Sequence, residues 1–139
     1  MQLQIEDYPG STEAARILIT ARETGIAGPR LPANCRPQSA GQALAVQQRT
    51  AQLLRETRQD AIAAWKSALP SPEKAVVAPI YASTVARGGV VPARTPIVRI
   101  EPEIAFELGR DLPARDAPYG PAEIDAAIAY HPAVMEFVR

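Results

Sequence analysis

Ala14, Ile17, Leu18 and Ala21 recur at helical spacing behind Ser11 and Thr12, and Gly25 stands where such a helix would end, which predicts a first helix over residues 12–24. From Ile26 to Pro37 the run Gly-Pro-Arg-Leu-Pro and the later Arg-Pro predict a loop, because each proline removes a donor and restricts the residue before it. Ser39-Ala40-Gly41-Gln42 fits a capping box, Ser39 accepting from the third residue of the turn and Gln42 reaching back. A second helix should follow to about Arg58, with Ala43, Val46, Leu53 and Leu54 as its apolar stripe and the intervening Gln and Arg residues in water.

Beyond Asp60 the pattern changes. Ala61–Leu69 is apolar around Trp65-Lys66, and prolines at 70, 72, 79, 92 and 96 favour short strands and loops over long helices. Val76–Tyr81 and Ile97–Leu108 are the strand candidates, with Gly88-Gly89 in the loop between them. Gly120-Pro121 opens a third short helix, with Glu123 in its first turn, Ile124, Ala127 and Ile128 as its buried face, and Pro132 as its stop. Ala133–Arg139, apolar with Glu136 embedded, reads as a strand that no turn or polar tail closes, so the chain reads as the front half of something longer.

The second strand candidate carries the chemistry. Alternation puts Val98, Ile100, Pro102, Ile104, Phe106 and Leu108 on one face and Arg99, Glu101, Glu103 and Glu107 on the other. Carboxylates two residues apart on one face have backbone origins roughly 6.5 to 7 Å apart. That is too far to share a proton well, yet close enough to converge on a hard divalent cation. An amphipathic strand with one wet face shows the same alternation with no ligand, and spacing alone leaves the two readings open. Pro102 cannot donate to a ladder, so it belongs at an edge or irregular point, where strands re-aim side chains.

Composition narrows the chemistry. The 139 residues are of single-domain size, and 15 basic residues balance 15 acidic ones without a run of either sign, which leaves no nucleic-acid footprint. With no apolar stretch of about 18 residues and no basic-then-apolar leader, neither a membrane span nor a secretory signal is expected, and a cytoplasmic protein is. Cys35 is the one cysteine and His131 the one histidine, the latter directly before Pro132 in an expected turn. An internal disulfide and a thiolate cluster are thereby excluded, and a Cys/His nucleophile or a zinc site is disfavoured. Any metal should be Mg²⁺ or Mn²⁺, held by oxygen.

Several short runs occur in a telling order: Ala45-Val46-Gln47, then Trp65-Lys66 and Ala78-Pro79, then Glu101-Pro102-Glu103-Ile104-Ala105-Phe106 with Gly109-Arg110-Asp111-Leu112, then Pro132-Ala133 before a glutamate. Together they resemble the 2-keto-4-pentenoate hydratase and 2-oxo-hydroxydioate decarboxylase family of the fumarylacetoacetate hydrolase superfamily. The similarity runs along nearly the whole chain and corresponds to about the first half of such an enzyme. It implies an α+β fold, with an N-terminal helical pair over 1–60 followed by a truncated, partial mixed β-roll over 61–139. It implies Glu101, Glu103 and Glu136 as ligands of Mg²⁺ or Mn²⁺, and Lys66 as a catalytic residue that binds substrate or moves a proton. The implied partner is a small 2-oxo or 2-hydroxydienoic acid, with homo-oligomerisation or association with a missing C-terminal half. The implied reaction is hydration of 2-hydroxypenta-2,4-dienoate in aromatic meta-cleavage catabolism, the alternatives being a 4-oxalocrotonate-type decarboxylase or a non-catalytic fragment that only folds and associates. The chain departs from the family pattern in places: Ala64 and Ala68 stand where glycine is common, Glu136 lies one residue further from Pro132-Ala133 than expected, and Phe137-Val138-Arg139 follows it where the family tends to continue Asp-Ser-Arg.

Overall fold

A computed structural model describes residues 4–71, 74–91 and 98–138, apart from the side chains of residues 69–71, 74 and 75. It is a mixed α+β structure in two compact units, Met1–Val91 and Pro92–Arg139. Among the described residues are three α-helices, one short 3-10 helix and three two-stranded antiparallel sheets, none of them closed.

In the first unit, α1 spans Ser11–Thr24 and α2 spans Ala40–Arg58. Gly25 closes α1 in a left-handed conformation (φ 69°), its N–H donating to the Ala21 carbonyl, as the αL cap requires. Ser39 caps α2, its hydroxyl oxygen accepting from the Gln42 N–H at 3.1 Å. The return arm differs from the expected box: Gln42 Oε1 accepts from the Gln38 N–H, one residue before the cap. The Ser39 hydroxyl also donates to Glu6, and the Glu6 N–H donates to the Gly41 carbonyl, so the N-terminal segment lies on the first turn of α2. That contact explains Gly41, where a Cβ would stand 2.6 Å from the Gln4 carbonyl oxygen.

The core of this unit is Ala14, Cys35 and Val46, with Tyr8, Ile17 and Leu31 packed against it. The loop before α2 therefore supplies part of the core, held by the Tyr8 hydroxyl donating to the Cys35 carbonyl and by Arg36 donating to the Leu31 carbonyl. The α2 stripe is rotated from its expected position: Ala45, Val46, Thr50 and Leu54 are buried, whereas Ala43 and Leu53 are only half-buried. Thr50 fits inside because its hydroxyl donates to the Val46 carbonyl.

Strands β1 (Ile62–Ser71) and β2 (Lys74–Tyr81) form an antiparallel pair with Trp65 opposite Pro79 and Lys66 opposite Ala78. Gln47 of α2 donates to the Val77 carbonyl, and the Asp60 carboxylate accepts from both the N–H and the hydroxyl of Ser83, which seats the pair beside the helices. Tyr81 is buried where β2 ends, with the Arg22 guanidinium 5.1 Å from its ring centroid.

In the second unit the expected strand over Ile97–Leu108 is interrupted; Ile97 lies outside the described residues. β3 (Arg99–Ile104) pairs with β6 (Ala133–Val138), and β4 (Glu107–Leu108) pairs with β5 (Ile128–Tyr130). The register is continuous across the gap, from Ile104 opposite Ala133 to Glu107 opposite Tyr130. The break falls at Pro132, which has no N–H for a ladder and offers only its carbonyl, accepting from Ala105. There the Phe106 and His131 rings meet edge to face, centroids 5.3 Å apart.

The third helix is also shorter than its pattern suggested. α3 is Pro121–Asp125, and Ile128 has left the helix to pair with Leu108. Of the expected buried face only Ala127 is buried; Ile124 is exposed. Pairing with the β4 backbone outcompetes continued helix because a five-residue helix is too short to hold itself.

Candidate functional site

β3 and β6 pair with Glu101 directly opposite Glu136 and Glu103 opposite Val134. Directly opposed residues of an antiparallel pair share a face, and Glu103, two residues from Glu101, shares it too. The three glutamates are half-buried, and one carboxylate oxygen from each lies within 4.8 Å of the other two. The opposite face carries Ile100, Pro102, Ile104, Met135 and Phe137. Pro102 can stand in this strand because its missing donor is tolerated at an edge of a two-stranded ribbon.

Among metal ions, the donor set would suit a hard cation. Three carboxylates supply oxygen and negative charge but no sulfur or imidazole, the chemistry of Mg²⁺ or Mn²⁺. Around an octahedral ion with ligands at about 2.1 Å, neighbouring oxygens are about 3 Å apart and opposite ones about 4.2 Å. An upper separation of 4.8 Å is thus a small side-chain movement from ligation. The geometry permits an ion without requiring one, since exposed acidic groups cluster commonly with none.

Lys66 stands in the first unit, on β1, half-buried. Ala64 and Ala68, two residues to either side, share its face together with Ala78 opposite and Val76 and Ile80 diagonally. Trp65 points to the other face and is 56% exposed. Cys35 is fully buried in the helical core, as suits a packed thiol rather than a nucleophile, while His131 is exposed at the strand break.

Two further charged residues of the second unit form a closed arrangement: Glu123, expected in the first turn of α3, and Arg115, which no sequence pattern singled out. Arg115 donates to both Glu123 carboxylate oxygens (2.9 and 2.7 Å) and to the carbonyls of Ala117 and Pro118, with its guanidinium 3.7 Å from the Tyr119 ring centroid. Glu123 also accepts from the Gly120 N–H, and these bonds, Arg115 first, lower its pKa to about 2. These bonds tie the loop at Arg115 to the first turn of α3, so the cluster anchors the entry to that helix. Shallow clefts on the helical pair include one lined by Thr12, Gln48 and Arg49 and another lined by Ile19, Leu53 and Arg58; neither includes Lys66 or a glutamate of the triad.

No protein-family model matches the chain, and no curated protein or solved structure matches it either. Among the described residues no helix is long and apolar enough to cross a membrane.

Proposed function

We propose that this chain carries the metal-binding part of a divalent-metal-dependent lyase that hydrates a short 2-hydroxydienoic or 2-oxo acid. The observation that carries the reading is the meeting of Glu101, Glu103 and Glu136 on one face of the β3–β6 ribbon, in a chain whose motif order resembles the hydratase and decarboxylase family. On this reading the ribbon opens the mixed β-roll of that family, the small acid is the partner, and the setting is the cytoplasm.

The three glutamates would hold Mg²⁺ or Mn²⁺, which when bound supplies a Lewis acid for the 2-oxo and carboxylate oxygens of the substrate and for enolate charge as it develops. By the family resemblance, Lys66 would bind the anionic substrate or move a proton. Hydration and decarboxylation share the same electron sink, so the site accommodates either outcome.

Calorimetric titration of Mn²⁺ into the purified protein tests the centre. Submillimolar affinity that disappears in Glu101→Ala and in Glu103→Ala supports it, and heat flat to millimolar ion overturns it. Turnover of 2-hydroxypenta-2,4-dienoate against 4-oxalocrotonate, by this chain extended at its C-terminus, separates hydratase from decarboxylase.

A second reading, a non-catalytic unit that folds and associates, is favoured by the apolar face opposite the glutamates, where Ile104 is 71% and Met135 63% exposed. Failure of the Mn²⁺ titration together with a concentration-dependent mass in solution would select it.

A further inference from the structure

We draw no further inference here: the strongest candidate, the exposed apolar face of the β3–β6 ribbon made by Ile100, Pro102, Ile104, Met135 and Phe137, is of the kind that something must cover, and nothing in the structure shows what covers it.

Discussion

Replacing Glu101 by Gln perturbs the proposed centre at its middle, because Glu101 faces Glu136 across the ladder and neighbours Glu103 along the strand. The change keeps side-chain volume and every backbone bond of the pair, and removes one negative charge. A carboxylate charge about 3 Å from a doubly charged ion is worth about 3 kcal/mol even at the dielectric constant of water, close to 100-fold in Kd. With ion at about 100 times the wild-type Kd, binding stabilises the fold by about 2.7 kcal/mol. After a 100-fold loss the same ion concentration stabilises it by only about 0.4 kcal/mol. For a chain of this size, where 1 kcal/mol moves Tm by about 4 °C, the ion-induced shift should fall from about 10 °C to below about 2 °C. Circular dichroism melts with and without Mn²⁺ measure it, with Glu107→Gln as the control: Glu107 is on β4, outside the group of three, and should retain the wild-type shift. An unshifted wild type, or an equal shift in Glu101→Gln and wild type, would refute the reasoning.

Other predictions concern the scaffold. Ser39→Ala should cost about 1 kcal/mol by leaving the Gln42 N–H without its cap, read by chemical denaturation, with a smaller cost for Gln42→Ala. Gly10→Ala should cost about 1 to 3 kcal/mol, since the new methyl would stand 2.6 Å from the Cys35 Cα and 2.8 Å from the Asn34 carbonyl; unchanged denaturation would contradict that packing. Glu123 has a lowered pKa, so its contribution to loop anchoring is present above the ordinary carboxylate value of 4.5 and fades as pH falls through about 2. Carbon-detected NMR titration should show that low midpoint and its return toward the ordinary value in Arg115→Ala. Burial raises the pKa of Tyr81, with Arg22 opposing and Asp60 assisting, so its contribution is intact below the ordinary value of 10 and lost as pH rises through the folded one. Tyr81→Phe should therefore flatten the alkaline loss of stability in pH-dependent melts.

The legible parts of the chain are those that local chemistry decides. Ser39 and Gly25 mark helix ends because a hydroxyl next to an unpaired N–H and a residue free to take positive φ act within one turn, wherever the rest of the chain goes. The face shared by Glu101 and Glu103 follows from strand alternation alone. The rotated α2 stripe was less legible: Thr50 is inside because it can bond its own helix backbone, a compensation that a hydrophobic pattern does not display. Cys35 enters the core from a loop, where no periodicity exists to announce it.

By itself the sequence determined the two long helices, the amphipathic Glu-x-Glu strand and the final apolar strand, since each depends on residues that are neighbours along the chain. Only the tertiary structure decided that Glu136 stands opposite Glu101, because that rests on the register between strands separated by α3. A slip of one residue would send Glu136 to the apolar face beside Ile100. The pairing of Ile128–Tyr130 with Glu107–Leu108 likewise ends α3 early, and the ladder breaks at Pro132. Backbone hydrogen bonds between distant segments outweigh the local preferences that a one-dimensional pattern records.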